Sequence, residues 1–258
     1  MTVRAKKHLG QHFLNDENIA QKIVDSLSLK TDYVLEIGPG MGVLTKYLIE
    51  KKEFETFLIE IDNESVDYLN QNFPQLQNKI FNADFLRLDL NTLLNKPFSI
   101  IGNFPYNISS QILFKVIDYR DKVPEVVGMF QKEVAERIAS PPGSKKYGVI
   151  SVMLQAFYDI EYLFTVNETV FTPHPKVKSA VIRLTRNSIE KLDCDEVIFK
   201  RIVKATFNVR RKTLRNGLKT LNVVSELLNE DIFNKRPEQL SVHEFENITK
   251  KLQKFLVV

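Results

Sequence analysis

The chain of 258 residues lacks a disulfide, a membrane-spanning run and a secretory signal. Its single cysteine, Cys194, excludes an internal disulfide and makes a reducing compartment the default. No apolar stretch approaches the roughly 18 residues that are needed to cross a bilayer. The first residues, MTVRAKKHLGQHFL, are basic and polar without an apolar core segment, which excludes a secretory signal. We therefore expect a cytoplasmic protein that has no membrane partner.

The sequence also has little net charge and no metal-ligand pattern. Lysine and arginine number 36 against 32 for aspartate and glutamate, so a nucleic-acid surface must come from clustered cations. The histidines, His8, His12, His174 and His243, show no metal-ligand spacing, and no metal site is predicted. Hydrophobic residues make up 43% of the chain, which is ordinary for a folded globular protein and argues against disorder.

Short apolar runs alternate with amphipathic segments in the first half of the chain. The runs typical of buried parallel strands cover residues 33–37, 56–61, 79–82, 98–102 and 125–130. Apolar residues at helical spacing lie between them, for example Ile112 and Val116. This alternation predicts an α/β fold with a doubly wound, Rossmann-like parallel sheet. Two further apolar segments, 151–164 and 176–184, predict an antiparallel hairpin at one edge of that sheet.

The C-terminal part of the chain has a different pattern. Residues 187–196 are polar and are expected to form a linker. Residues 197–256 alternate helical patterns with short breaks. We therefore predict two domains, one over residues 1–186 with the sheet and a basic N-terminal arm, and a small helical one over residues 187–258.

The loop after the first predicted strand is the first chemical signal. It reads EIGPGMG from Glu36 to Gly42, and glycines between a strand and a helix let a ligand approach the backbone. An acid so close to this turn would repel a pyrophosphate, whereas it suits a cationic ligand such as S-adenosylmethionine. Glu60 lies at the end of the second strand and Asp84 follows the third, where they can accept hydrogen bonds from the ribose and from the adenine amine. The alternative is that the glycines only tighten a turn and that Glu60 is a solvated strand end.

The tetrad Asn103-Phe104-Pro105-Tyr106 follows the fourth predicted strand. The exocyclic amine of adenine is a poor nucleophile, because its lone pair is delocalised into the ring. Two acceptors that hold its N–H groups would direct the lone pair at a sulfonium methyl. We assign these acceptors to the Asn103 side-chain oxygen and the Pro105 carbonyl, and stacking on an extruded base to Tyr106. The tetrad thus predicts adenine amino methylation, and the alternative is an ordinary Asn-x-Pro turn.

Nine short motifs extend this pattern along nearly the whole chain. They read GQHFLND from residue 10, EIGPGMGVLT from 36, LIEID from 58, NADF from 82, GNFPYNIS from 102, QKEVAERI from 131, SKKYGVISV from 144, FTPHPKVKSAVIRL from 171 and FNVRRKTLRNGL from 207. In this order they resemble the small-subunit ribosomal RNA adenine dimethyltransferases, the KsgA/RsmA family. The resemblance implies transfer of methyl groups from S-adenosyl-L-methionine to two adjacent adenines in the terminal hairpin of that RNA, two per base. It also implies a monomer that acts on the assembling small ribosomal subunit.

The resemblance further implies which residues form the site. Those expected to bind the cofactor are His12, Leu14, Gly38, Glu60, Asp84 and Asn103. Phe171 would pack against the target base opposite Tyr106, and would complete the catalytic set with Asn103 and Pro105. His12 and Phe104 depart from the Asn and Leu that are frequent in the family. His12 can still donate a hydrogen bond, and Phe104 can reshape the base pocket slightly.

The C-terminal domain carries a cluster of cations that suits RNA. Residues 197–225 contain no acid, and Arg210, Arg211, Lys212 and Arg215 are predicted to bind RNA. A second basic stretch at the N-terminus comprises Arg4, Lys6, Lys7 and His8. Together the two stretches could clamp an RNA hairpin by its backbone. The alternative is that they are solvated helix faces.

Three other functions share parts of this pattern. An NAD-dependent oxidoreductase would have the same sheet, but it gives no reason for Glu36 or for the tetrad. A large-subunit methyltransferase of the antibiotic-resistance type would keep both signals, whereas the segment FNVRRKTLRNGL resembles the small-subunit family. A ribosome assembly factor without catalysis is the third alternative, and the intact cofactor pattern and tetrad argue against it.

Overall fold

The computed structural model describes residues 3–28 and 30–256. Its strands are β1 Phe13–Leu14, β2 Tyr33–Ile37, β3 Glu55–Glu60, β4 Ile80–Asn82, β5 Ser99–Asn103, β6 Glu125–Gln131, β7 Tyr158–Val166, β8 Phe171–Thr172 and β9 Ser179–Arg186. Its α-helices are α1 Glu17–Val24, α2 Thr45–Leu48, α3 Asn63–Asn72, α4 Leu90–Leu93, α5 Ser109–Asp118, α6 Lys132–Ala139, α7 Val149–Gln155, α8 Glu196–Asn208, α9 Leu214–Lys219 and α10 Val242–Leu252. Within these ranges, no helix combines the length and the apolar character that crossing a membrane requires.

The main sheet has the strand order β4-β3-β2-β5-β6-β9-β7. Strands β4, β3, β2, β5 and β6 are parallel, and β9 runs antiparallel to β6. The chain enters the sheet at β2, continues to one edge through β3 and β4, and then continues to the other side from β5. This arrangement confirms the predicted doubly wound, Rossmann-like sheet with its antiparallel addition at one edge.

The carboxyl ends of the parallel strands meet at one side of the sheet. The register pairs Ile37 with Ile59 and Glu60 with Asn82. Strand order reverses between β2 and β5, and in open α/β sheets ligands bind in the crevice beside such a reversal. The polar residues that follow β2, β3, β4 and β5 are therefore brought together, although they are far apart in the chain.

Helix α1 shows how the sequence builds the core beside this sheet. It begins after Asp16, whose side chain accepts a hydrogen bond from the Ile19 N–H at 3.0 Å, a cap worth about 1 kcal/mol. Its apolar face buries Ile23 and Val24 in a cluster that also contains Met129 of β6. Full burial of a side chain the size of Ile23 stabilises the fold by roughly 2 kcal/mol.

The segment 151–164 differs from the expected strand. The structure has helix α7 up to Gln155 and starts β7 only at Tyr158. Val152, Met153 and Leu154 are all buried, so the run is apolar on every side. The periodicity of such a short run does not reveal whether it forms a buried strand or a buried helix. The structure shows that it forms a buried helix.

The chain forms two compact units, and their boundaries differ in one respect from the predicted domains. The first unit comprises Met1–Ala135 and Asp159–Arg186, and the second comprises Glu136–Tyr158 and Asn187–Val258. The division after Arg186 lies at the start of the expected linker, whereas segment 136–158 groups with the helical unit. Within that unit the Tyr147 ring lies 6.2 Å from the Phe207 ring, between centroids, so packing on the C-terminal helices explains the difference.

Candidate active site

A cavity of about 530 Å³ lies at the carboxyl ends of the strands in the first unit. Its walls come from residues 8–15, the glycine loop after β2, and the segments that follow β3, β4 and β5. All six predicted cofactor residues and three of the four predicted catalytic residues line it: His12, Leu14, Gly38, Glu60, Asp84, Asn103, Pro105 and Tyr106. The cavity thus joins the two chemical signals that were found separately in the sequence.

Glu60 connects the glycine loop to the end of β3. One carboxylate oxygen accepts a hydrogen bond from the Gly40 N–H at 3.0 Å, and the other accepts one from the Asp62 N–H at 2.9 Å. Gly40 has φ +57°, and a Cβ there would lie 2.8 Å from the Phe13 ring, so only glycine fits this loop. Burial raises the pKa of the Glu60 carboxyl. Glu60 therefore positions the loop in addition to facing the cavity.

Glu36 lies beneath the same loop and is only 1% exposed. Its carboxyl group accepts a hydrogen bond from the Thr45 hydroxyl at 2.6 Å. Burial, and to a smaller extent the nearby Glu60, raise the pKa of Glu36 to about 8. A ligand that brings positive charge into the cavity would favour the ionised form of this acid, in keeping with the cationic ligand that the sequence predicts.

The raised pKa of Glu36 predicts how stability depends on pH. Between pH 4.5 and 8 the unfolded carboxyl group ionises while the folded one keeps its proton, so stability falls as pH rises. We expect Glu36→Gln to abolish a loss on the order of 4 kcal/mol between pH 5 and pH 8. Urea unfolding at both pH values measures it, with the exposed Glu53→Gln as the control variant. Equal pH dependence in the wild type and in Glu36→Gln would contradict the assignment.

Asn103 ends β5 with its amide held in one orientation. Its Nδ2 donates a hydrogen bond to the His12 backbone carbonyl at 2.9 Å, which leaves Oδ1 as the accepting atom of that amide. The Pro105 carbonyl already accepts a hydrogen bond from the Ile108 N–H at 3.2 Å, and its second lone pair can accept another. Both acceptors that the sequence predicts therefore lie at the cavity.

Tyr106 and His12 form an aromatic pair at this end of the cavity. Their ring centroids are 5.4 Å apart with an interplanar angle of 29°. The Tyr106 hydroxyl is hydrogen-bonded to the Ser179 hydroxyl at 2.5 Å, and His12 Nδ1 donates to the Pro173 carbonyl at 2.7 Å. The histidine that departs from the family pattern thus stacks on the tyrosine that is expected to meet the base.

Phe171 lies in the core next to the cavity residue Leu14. Among the described residues that line the cavity, Phe171 is absent, and its side chain is fully buried in the core with Leu14 and Val181. Its backbone pairs with that of Leu14 between β8 and β1. In this arrangement the ring has no exposed face for a base, because core packing covers it. The contact of Phe171 with the base therefore stays a prediction.

Lys115 of α5 is a positioning residue that no sequence pattern singled out. It donates hydrogen bonds to the carbonyls of Leu86, at 3.1 Å, and of Leu88. Burial lowers the pKa of its ammonium group. These bonds fix the segment that begins at Asp84, whose carboxylate caps the turn by accepting from the Leu86 N–H at 2.9 Å. No local motif predicts such a contact, because the two residues that form it lie some 30 residues apart in the chain.

Two glycines whose role could have been recognised from the sequence lie against Phe104, the other residue that departs from the family pattern. Its ring is buried against Phe130, with centroids 5.1 Å apart. A Cβ at Gly128 would lie 2.3 Å from this ring, and one at Gly102 would lie 2.8 Å from it. Glycines on two neighbouring strands thus make room for the ring below the cavity, and Phe104 supports the floor of the site.

The predicted RNA-binding residues divide into two kinds within the second unit. Arg210 is half-buried, donates to the Ser144 carbonyl at 3.3 Å and lies 3.8 Å from the Glu238 carboxylate. Arg215 is also half-buried and donates to the Leu228 carbonyl at 2.8 Å. Arg211 and Lys212 are exposed. The exposed pair is thus available to a ligand, whereas the other two arginines stabilise the fold of this unit.

Comparison with known proteins identifies the family to which the chain belongs. The sequence model of the family described as ribosomal RNA adenine dimethylase matches residues 2–254. The chain is 62% identical over 252 residues to ribosomal RNA small subunit methyltransferase A of Cytophaga hutchinsonii, covering 97% of this chain and 98% of that one. The corresponding protein of Flavobacterium johnsoniae is 60% identical, with 97% of each covered.

Solved structures agree with the sequence comparison. A dimethyladenosine transferase from Plasmodium falciparum superposes with a TM-score of 0.78 at 25% identity, over 95% of this chain and 97% of that one. The 23S rRNA methyltransferase ErmE has a TM-score of 0.64 at 24% identity, over 92% and 99%, and shares the fold. With a family match over nearly the whole length and relatives at 60% identity or above, the chain belongs to the ribosomal RNA adenine dimethylase family.

Proposed function

We propose that this chain transfers methyl groups from S-adenosyl-L-methionine to the N6 amino groups of two adjacent adenines in the terminal hairpin of small-subunit ribosomal RNA. The product is N6,N6-dimethyladenosine, made during ribosome biogenesis. The observation that carries the proposal is the Asn103 amide, which His12 orients so that Oδ1 accepts at the cavity. The names of the two relatives that are 60% or more identical support the substrate.

The residues at the cavity fit this methyl donor. Glu36 and Glu60 place two buried carboxyl groups at a glycine loop, where a ligand that carries positive charge favours their ionised forms. Asp84 follows the next strand and lines the same cavity. When bound, S-adenosylmethionine supplies an electrophilic methyl group on a sulfonium. Glu60 would hold the ribose of this cofactor, and Asp84 would hold its adenine amine. The loop around Gly38 would hold the rest of the molecule.

The part of the cavity that contains Asn103, Pro105 and Tyr106, here called the acceptor end, positions the target amine. Asn103 Oδ1 and the Pro105 carbonyl accept its two N–H groups, so that the nitrogen lone pair is directed into the cavity. No strongly basic side chain is required, because the nitrogen becomes acidic as its bond to the methyl carbon forms and the sulfur–carbon bond breaks, and it then releases its proton to water. Tyr106 contributes an aromatic face for the extruded base. Since residues of a single unit of one chain build both ends of the cavity, we propose that the protein acts as a monomer. We also propose that it acts in the cytoplasm.

Transfer of labelled methyl groups to isolated ribosomal subunits tests the proposal. Purified small and large subunits that lack these methyl groups are incubated separately with the protein and labelled S-adenosylmethionine. We expect label in the small subunit only. Label in the large subunit alone would favour the antibiotic-resistance type of activity, and binding without label would favour an assembly factor.

The exposed pair in the second unit predicts a salt-dependent contribution to RNA binding. Arg211→Ala combined with Lys212→Ala should make the salt dependence of RNA affinity shallower by about 1 for each phosphate that is no longer bound. The control variant changes Lys191 and Lys254, which are also exposed in this unit and lie outside the acid-free stretch. Fluorescence anisotropy with a labelled RNA hairpin at several salt concentrations measures both variants. Identical salt slopes in both would show that this face does not meet RNA.

A further inference from the structure

The loop from Thr172 to Lys178, here called the acceptor loop, lies outside the functions described above. All its residues are exposed except Pro175. It carries His174, Lys176 and Lys178, and Val177 between the lysines is 46% exposed. The sequence from residue 169 to residue 189 contains no acid. The loop therefore presents positive charge and a small apolar side chain to solvent.

The acceptor loop is fixed at both ends to the acceptor end of the cavity. At its start, the Pro173 carbonyl accepts from His12 Nδ1 at 2.7 Å, and the Thr172 hydroxyl accepts from Asn15 Nδ2 at 2.7 Å. At its end, Lys178 precedes Ser179, whose hydroxyl is hydrogen-bonded to that of Tyr106 at 2.5 Å. Both ends of the loop that carries the lysines are thus attached to the aromatic pair that is expected to meet the base.

The charges of this loop are not neutralised within the protein. In the part of the chain that the structure describes, the ammonium groups of Lys176 and Lys178 make no ion pair, whereas Lys46, Lys51 and Lys79 of the same unit pair with carboxylates. His8 also lines the cavity wall and is exposed, as is the adjacent Lys7. A further exposed lysine therefore lies next to a residue of the same cavity.

We propose that the acceptor loop binds the phosphate backbone of single-stranded RNA beside the extruded adenine. This inference rests on the proposed function, because it assigns a strand to the acceptor end of that cavity. Extrusion of a base requires unstacking, and a backbone held on both sides of the base offsets that penalty. Unpaired lysines beside a stacking aromatic are the combination that binds single strands without reading their sequence. An acidic protein segment would use the lysines but would have no reason for the aromatic pair.

The test compares two double variants of equal charge. One combines Lys176→Ala with Lys178→Ala, and the other combines Lys52→Ala with Lys96→Ala. The control lysines are exposed and lie before β3 and β5, at the amino ends of the strands and away from the cavity. A labelled single-stranded RNA with two adjacent adenines is titrated by anisotropy at several salt concentrations. Affinity for S-adenosylmethionine is measured by calorimetry as a check on folding.

Removal of two phosphate contacts should lower the salt slope by about 1.4, since each contact on a single strand contributes about 0.7. At 0.1 M salt this corresponds to an affinity about 25-fold weaker for the loop variant and unchanged for the control. Affinity for S-adenosylmethionine should equal that of the wild type. Lys176→Arg with Lys178→Arg should restore the slope, because arginine keeps the charge.

Equal salt slopes in the loop variant and the control would overturn the inference. Weaker binding to intact subunits together with unchanged binding to the bare RNA would overturn it as well, and would indicate a protein partner. The outcome is separable from that of the proposed function. A wild type that transfers no methyl groups, while the loop variant still loses RNA affinity, would refute the activity and leave the RNA contact standing.

Discussion

Asn103→Ala is expected to lower the rate of methyl transfer at saturating cofactor by about 10²–10³, the usual effect of removing one preorganised electrostatic interaction. The variant removes the oxygen that orients the amine and also the Nδ2 bond to the His12 carbonyl. Because Asn103 also lines the cofactor cavity, cofactor affinity must be measured separately by calorimetry. The rates of the first and second transfers are followed by mass spectrometry of the nucleosides.

Two further variants sharpen this prediction. Asn103→Asp keeps an acceptor for the amine but cannot donate to the His12 carbonyl, so we expect activity between that of Ala and the wild type, mainly for the first methyl. Asn82→Ala is the matched control, since Asn82 ends the parallel strand β4 and its side chain donates to that of Asn63 at 2.7 Å. Wild-type rates of both transfers in Asn103→Ala would overturn the assigned mechanism.

Glu60→Ala is expected to weaken binding of S-adenosylmethionine by about 10²-fold or more while RNA binding persists. The variant removes the carboxylate that would hold the ribose and frees the Gly40 N–H that keeps the glycine loop in place. A hydrogen bond to a charged group contributes about 1.5–3 kcal/mol, which alone corresponds to roughly 10- to 150-fold in affinity. Calorimetry with the cofactor and anisotropy with a labelled RNA measure the two effects separately.

Glu60→Gln separates the two roles of this carboxylate. Its amide oxygen can still accept from one of the two N–H groups, of Gly40 or Asp62, but its NH₂ group then faces the other. We therefore expect partial loss of cofactor affinity, smaller than for Ala. If Glu60→Ala bound the cofactor as the wild type does, Glu60 would have no part in the cofactor site.

The sequence was most informative where a signal is local. The strands from β2 to β6 were predicted to within one or two residues, because short apolar runs between turns report burial directly. Their order then placed Glu60, Asp84 and Asn103 at one edge of the sheet, and the cavity joins them. The segment that forms the end of helix α7 was predicted to be part of a strand, and that prediction was wrong. A run that is buried on all sides has no periodicity that distinguishes a helix from a strand.

Contacts between distant segments could not be predicted. The stacking of His12 on Tyr106 depends on how the N-terminal arm meets the end of β5, which no pattern in either segment encodes. Phe171 is predicted to lie at the base from the resemblance alone, and no pattern in the sequence showed that β8 pairs with β1 and that the ring is buried. Likewise, a basic run offers no way to distinguish the exposed Arg211 from Arg210, whose partners lie elsewhere in the chain.

Nucleoside mapping tests most directly whether the site that contains Asn103 methylates adenine N6. Small ribosomal subunits without these methyl groups are incubated with the protein and labelled S-adenosylmethionine, and the RNA is digested and analysed by mass spectrometry. We predict N6,N6-dimethyladenosine at two adjacent positions of the terminal hairpin, formed by the wild type and not by Asn103→Ala in the same time. Label on another atom or another nucleotide, or equal product from Asn103→Ala, would contradict it.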